Sequence, residues 1–172
     1  MPVLVRHGLR RASVFSSRFQ KLAQDVLDAA GVPKYELSLV LVADGRMRSL
    51  NRRYRRRDAS TDVLAFPLRE SGRSVSALLG DVVISVPQAI RQARTAGRTV
   101  EEELATLLIH GVLHLVGYDH ERSEREARRM QRKERQIMHV LPPLPLLIKP
   151  LASRTTGALR TKRARQGDSK SR

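Results

Sequence analysis

The pattern of apolar and polar positions divides the chain into short helices and strands. Apolar residues recur at helical spacing from Phe15 to Ala30, and Gly31 follows where helices commonly end. The apolar run Glu36–Ala43 predicts a buried strand. Two further runs, 62–67 and 79–85, predict strands that are separated by a polar loop.

Two short helices are predicted around these strands. Asp44 is expected to cap a helix that continues to about Arg53 and turns its apolar side chains inward. Those side chains are Met47, Leu50 and Tyr54. Pro87 lies near the first position of the next helix, which is expected to stop at Gly97.

The last two predicted helices each begin with a capping box. Thr99 and Glu102 open a leucine-rich helix whose first turn is acidic, which suits the positive end of the helix dipole. Ser123 and Glu126 open a very basic helix that extends to about Val140. Helices and strands are interleaved, but the pattern contains only about four strands. We therefore predict an α+β fold, a small mixed four-stranded sheet packed with about five helices.

The two ends of the chain differ from its middle. Residues 1–20 carry four arginines and no acid, as mitochondrial transit peptides do. We favour the alternative, a first strand at Val3 followed by the first helix, because the apolar pattern continues unbroken. Beyond Leu141 a proline-containing stretch leads into a basic tail without apolar periodicity. We predict a domain at residues 1–141 and a disordered tail at 142–172.

Charge and composition narrow the range of partners. The formal net charge is +16, which favours a polyanionic partner such as nucleic acid, the ribosome or an anionic membrane. Aromatic residues make up only 3% of the chain, so contacts from arginine and lysine to a phosphate backbone are expected rather than a sheet that stacks bases. No apolar run approaches the roughly 20 residues of a membrane span. Cysteine is absent, which suits a reducing cytoplasm.

Histidines are concentrated at one place in the chain. His110, His114 and His120 lie within eleven residues, and only two other histidines occur. Side chains four apart share a helix face, with Cβ atoms about 5–6 Å apart, so the first two can bind one ion. Gly117 can end the helix and let the chain turn back towards His120. Three neutral nitrogen ligands with a fourth position open are typical of a catalytic zinc, which points to a metal-dependent hydrolase.

Other interpretations of this motif remain open. The histidines could be packed without a metal, but buried imidazoles need hydrogen-bond partners that the apolar neighbours cannot supply. A zinc peptidase would carry a glutamate directly after the first histidine, where this chain has Gly111. Asp119 and Glu121 flank His120 and are candidates for orienting a ligand or for acid–base chemistry, with a solvated surface pair as the alternative.

Three blocks of sequence resemble one known family. The string from His110 to His120, HGVLHLVGYDH, is similar to the signature H-G-x-L-H-L-x-G-Y-D-H of the YbeY family. Residues 50–67 resemble its L-N-x-x-Y-R-x-x-D-x-x-T-D-V-L-S-F-P block, with Ala65 in place of the usual serine. Residues 79–84 resemble its L-G-D-[IV]-x-I strand. Order and spacing agree from residue 2 to about residue 141.

This resemblance implies a zincin-like fold and a zinc-dependent endoribonuclease that cleaves single-stranded RNA. It implies one zinc ion on the three histidines, with Arg55 as the functional arginine. It also implies a cytoplasmic role in 3′-end maturation of small-subunit (16S) rRNA and in late ribosome quality control, with the small ribosomal subunit and precursor rRNA as partners and no membrane. The basic run supports Arg55, because seven arginines and no acid lie between Asp44 and Asp58. A zinc peptidase, or a non-catalytic ribosome-assembly factor with a structural metal, remains the alternative.

Overall fold

The computed structural model describes residues 3–68 and 77–150, and within these ranges the chain forms six strands and five helices. In chain order the elements are β1 (Val3–His7), β2 (Ala12–Val14), α1 (Ser16–Ala30), β3 (Glu36–Val42), α2 (Asp44–Arg55), β4 (Val63–Pro67), β5 (Leu78–Ser85), α3 (Val86–Ala96), α4 (Val100–Val116), α5 (Glu124–Val140) and β6 (Ile148–Pro150). The polar loop around residues 71–73 and the basic tail from residue 151 lie outside the described residues.

Four strands form a mixed sheet in the order β1-β3-β5-β4. The first three are parallel, and β4 pairs antiparallel with β5 as an edge strand. Because side chains alternate across a strand, β3 supplies both faces of the sheet. Leu39 and Leu41 join the main core with α1 and α4, while Val42 joins a smaller cluster with Met47 of α2. The predicted α+β class and mixed four-stranded sheet are confirmed.

Two predicted details of α2 are wrong. Asp44 does not cap the helix, because Ala43 occupies the N-cap position without a side-chain hydrogen bond. The Asp44 carboxylate instead accepts a hydrogen bond from Ser85 Oγ at 2.8 Å and pairs with Arg91 at 2.8 Å, which joins α2 to α3. Tyr54 does not face inward, because it lies on the last turn, past the edge of the small cluster, and is 56% exposed.

The caps of the last two helices are formed locally. Thr99 and Glu102 make both hydrogen bonds of the predicted capping box at the start of α4. At α5, Ser123 accepts a hydrogen bond from the Glu126 backbone N–H at 3.2 Å, which is one half of the predicted box. No helix within residues 3–68 and 77–150 is long and apolar enough to cross a membrane.

The sequence pattern gave no sign of a second, two-stranded sheet. In it β2 pairs antiparallel with β6, with Ala12 opposite Pro150 and Val14 opposite Ile148. Leu147 and Ile148 are buried in the main core. The packed region therefore extends past the boundary that was expected at residue 141. We call this pairing of β2 with β6 the terminal clasp.

Candidate metal centre

Helix α4 lies in direct contact with the sheet at Gly111. A Cβ atom at this position would stand 2.7 Å from one methyl of Val82 and 3.0 Å from the other, closer than real Cβ atoms come. Val82 is fully buried in β5. Glycine is therefore required here by the packing of α4 on the sheet, and the flanking His110 is held against a rigid surface.

The three histidines converge as their spacing predicts. The Nε2 atoms of His110 and His114 are 3.1 Å apart, and one ring nitrogen from each of the three side chains lies within 4.8 Å of the others. Gly117 adopts the left-handed conformation at φ 103°, and the Tyr118 N–H donates to the Leu113 carbonyl at 3.0 Å. This helix end reverses the chain and brings His120 back beside α4. Such a group could hold a metal ion.

The acid before His120 stabilises the turn that carries it. Asp119 Oδ1 accepts a hydrogen bond from the Glu121 N–H at 3.0 Å, and Oδ2 accepts one from Arg122 Nε at 3.1 Å. The bond from Glu121 contributes most to lowering the pKa of the Asp119 carboxyl below its usual value, with a further contribution from Arg122. Asp119 is thus ionised, lines the same cleft as the histidines, and has both carboxylate oxygens engaged in the turn.

A carboxylate from α5 contacts the site although the sequence interpretation missed it. Glu134 Oε1 lies 2.7 Å from His110 Nδ1, so the imidazole donates from Nδ1 and turns Nε2 towards the other histidines. Metal-binding histidines commonly have such a carboxylate partner. A signal was present in the sequence, because Glu134 shares the inward face of α5 with Met130 and Ile137, at positions where an apolar residue is expected.

The donor set fits a borderline metal such as zinc. Burial is the main cause that lowers the pKa of His114, and the positive charge that His110 and His120 would carry lowers it further. A histidine that resists protonation keeps its nitrogen lone pair available at neutral pH. Three imidazole nitrogens without a protein thiolate or carboxylate are one of the ligand sets that catalytic zinc uses.

Arginines form a second wall of this cleft, whose volume is about 470 Å³. Arg55, the last residue of α2, lines it together with Arg57 and the three histidines. The segment after α2 is fixed by local bonds: Arg56 is left-handed at φ 55°, and Asn51 Nδ2 donates to the Ala59 carbonyl at 2.8 Å. The structure thus places every predicted site residue in one cleft.

A second groove continues from the same point. It has a volume of about 610 Å³, and Asp62, Val63 and His110 line both cavities. Arg91 and Arg98 lie along it between α3 and α4. His110 therefore lies where the two cavities adjoin, with arginines along each.

Comparison with known proteins identifies the family. Residues 8–142 match the family model described as Endoribonuclease YbeY. The chain belongs to the YbeY family. The assignment made from the three sequence blocks is confirmed, and so is the expected class of enzyme, since the family is one of endoribonucleases.

Relatives and one solved structure agree with this assignment. The chain is similar to the Endoribonuclease YbeY of Geobacter metallireducens, at 43% identity over 144 residues, covering 82% of this chain and 96% of that protein. It is similar to the YbeY protein of Aquifex aeolicus at 40% identity over 139 residues, covering 81% and 91% of the two chains. A Thermotoga maritima protein with a known solution structure matches with a TM-score of 0.58 at 26% identity, covering 80% of this chain and 87% of that one.

Proposed function

We propose that this protein is a cytoplasmic, zinc-dependent endoribonuclease that cleaves single-stranded RNA. We further propose that it acts in 3′-end maturation of 16S rRNA and in late quality control of the small ribosomal subunit. The observation that carries the proposal is the single cleft that Arg55 lines together with the three histidines. The YbeY relatives are named for internal cleavage of RNA, which supports the same reaction here.

The shape and charge of the cleft suit a flexible polyanion. A volume of about 470 Å³ falls in the range of small-ligand sites and suits one or two nucleotides of a single strand. Arg53, Arg55, Arg56 and Arg57 make no ion pair with any residue in the described ranges, which leaves them available for phosphates. The overall charge of +16 adds long-range attraction for RNA.

Each residue of the site has a distinct proposed role. When bound by His110, His114 and His120, zinc would polarise a phosphoryl oxygen of the scissile phosphodiester or activate a water. The Arg55 guanidinium would donate hydrogen bonds to the phosphate as negative charge accumulates on its oxygens. Glu134 holds the proton of His110 on Nδ1. Asp119 either exchanges protons with the reacting groups or serves only to support the turn.

The structure gives a physical reason to disfavour a peptidase. The general base of zinc peptidases would occupy position 111, where even a methyl group collides with Val82. A metal that only holds the fold is also disfavoured, since all three histidines come from α4 and the turn directly after it. Such an ion would join no distant parts of the chain.

The test is cleavage of a precursor of 16S rRNA and of a short single-stranded oligoribonucleotide, with and without a zinc chelator. We expect internal cleavage that stops on chelation and returns with added zinc, while circular dichroism shows the fold unchanged. Products ending in a 2′,3′-cyclic phosphate would identify the RNA 2′-hydroxyl as the nucleophile, and 5′-phosphate products would identify water. Unfolding on chelation would favour the structural metal, and digestion of casein without cleavage of RNA would favour the peptidase.

A further inference from the structure

One aromatic side chain stands apart from the others. The chain has three phenylalanines, three tyrosines and no tryptophan, all six aromatic residues lying within the described ranges. Of these six, Tyr54 alone is exposed, at 56% of its full accessibility, whereas the others are buried or half-buried. Within the described residues its hydroxyl has no hydrogen-bond partner.

Tyr54 is held in place although it is exposed. Its ring packs edge-on against Phe66, with ring centroids 5.1 Å apart and planes inclined by 62°. Phe66 lies on β4 and packs against the small core cluster beneath α2. The tyrosine ring therefore rests on a rigid support and is already positioned, which lowers the entropy cost of binding a ligand to it.

The surroundings of the ring favour a nucleotide. The Arg53 guanidinium lies over the ring, 5.4 Å from its centroid. A base that stacks there would displace the guanidinium from the ring face and leave it free to bind the phosphate of that nucleotide. Arg55, the next residue, lines the histidine cleft. On β4, Leu64 lines the cleft, and Phe66, two residues on and on the same face of the sheet, contacts the tyrosine. On α2, Asn51 lines the cleft, and the tyrosine follows three residues later on the same side of the helix. The ring thus lies beside the cleft wall along both elements, within reach of a neighbouring nucleotide.

We propose that Tyr54 is a base-stacking site for the RNA strand, adjacent to the cleft in which the scissile phosphate would be held. This inference rests on the proposed function and specifies how the strand enters the site. Stacking on an aromatic ring is tolerant of base identity, because every base has a π-face. The site would therefore select single-stranded over duplex RNA without reading sequence, since paired bases are already stacked on one another.

The absence of tryptophan from the chain makes a direct test possible. Tyr54→Trp introduces the only tryptophan of the chain, whose emission can be excited separately from that of the remaining tyrosines, and a base stacked on it quenches this emission. The matched control is Leu4→Trp, because Leu4 is 48% exposed and lies on β1, the opposite edge strand of the sheet. Each variant is mixed in a stopped-flow instrument with a single-stranded oligoribonucleotide, with the same oligonucleotide made abasic, and with a duplex. Recording over milliseconds gives binding before cleavage.

We expect the intact single strand to quench the emission of Tyr54→Trp and the abasic strand and the duplex to leave it unchanged. None of the three should quench Leu4→Trp. In steady-state cleavage, Tyr54→Phe should behave as the unaltered protein, while Tyr54→Ala should raise KM about tenfold with little change in kcat, as for the loss of one stacked base. That KM increase should disappear on the abasic strand.

Equal quenching by intact and abasic strands, or an unchanged KM in Tyr54→Ala with RNA still cleaved, would overturn the stacking site and leave the proposed nuclease intact. Quenching by single-stranded RNA without any cleavage by the unaltered protein would support the stacking site and refute the proposed activity. Emission that changes with protein concentration alone would show that the ring faces a second protein molecule, and the stacking proposal would fall.

Discussion

The two walls of the cleft are built in different ways. The histidine wall rests on the core: Ile109, Val112 and Leu113 are buried beside His110 and His114 on α4, and Gly111 touches the sheet. The arginine wall lies on exposed helix and loop, held by a few hydrogen bonds such as that from Asn51 to the Ala59 carbonyl. The geometry of the histidines is thus fixed by packing, whereas the exposed arginine side chains of the other wall retain freedom to follow a substrate. Disturbing the first wall should stop the reaction, and disturbing the second should weaken it by degrees.

The largest effect is expected from removing a metal ligand. In His114→Ala the remaining two histidines cannot hold zinc firmly, so bound zinc and RNA cleavage should both be lost. His139→Ala is the matched control, because His139 is exposed near the end of α5 and outside the histidine group. Metal analysis by mass spectrometry and a cleavage assay check both variants. One full equivalent of zinc retained in His114→Ala would contradict the assigned ligands.

Removing Arg55 from the arginine wall should slow the reaction without affecting zinc binding. Arg55→Ala is expected to lower kcat on the order of 100-fold, the usual cost of losing one hydrogen-bond donor to a transition state. Arg46→Ala is the control, since Arg46 is an exposed arginine of the same helix that does not line the cleft. Zinc content and kcat are measured together. Equal losses in the two variants would mean that overall charge matters and the position of Arg55 does not.

The carboxylate behind the histidine wall should set how firmly zinc is held. Glu134→Gln keeps the size of the side chain but removes the charge that faces His110 Nδ1, so zinc affinity should fall about 10- to 100-fold. Glu124→Gln, at an exposed position on the same helix, should bind zinc as the unaltered protein does. Competition with a fluorescent chelator measures both. Unchanged affinity in Glu134→Gln would remove Glu134 from the site.

A pair of glycine substitutions compares how tightly α4, which carries the histidines, and α2, which leads to the arginines, are packed. Gly111→Ala forces a methyl group against Val82, and we expect a loss of about 1–3 kcal/mol in the free energy of unfolding. Gly45 lies in α2 with nothing within 4 Å of an added Cβ, so Gly45→Ala should be neutral or slightly stabilising. Urea denaturation gives both values. Similar stabilities for the two variants would show that α4 can move away from the sheet at little cost.

The smallest effect is expected at Asp119, where two roles remain to be separated. An amide keeps the acceptor that bonds the Glu121 N–H, so Asp119→Asn should preserve the turn and change kcat only a few-fold. If Asp119 were an acid–base residue, kcat would fall far more, because the amide of asparagine cannot exchange the proton. A pH profile of kcat for this variant decides between them. Loss of one limb of the profile together with a fall of a hundredfold or more would assign catalysis to Asp119.

The features that could be predicted from the sequence are those set by neighbours along the chain. The four-residue spacing of His110 and His114 and the glycine at 117 define ligand geometry within three helical turns. Glu134 contacts His110 from 24 residues away and Asp44 contacts Ser85 from 41 residues away, so no local pattern specified either pair. The sequence pattern predicted that Tyr54 faces the core, because it lies two helical turns after Met47. The last turn of α2 instead extends past the core.

The terminal clasp has a consequence for the order of events during synthesis. Its strands, β2 and β6, lie near the two ends of the described chain, so all the residues between them must be synthesised before the strands can pair. At about 5–20 residues per second, the chain from residue 15 to residue 150 takes about 7–27 s to synthesise, and β2 waits that long for its partner. Until then Val14 and its neighbours are exposed to solvent, and a growing chain on the ribosome carries an unpaired edge. Synthesis of β6 and closure of the domain are thereby coupled in time.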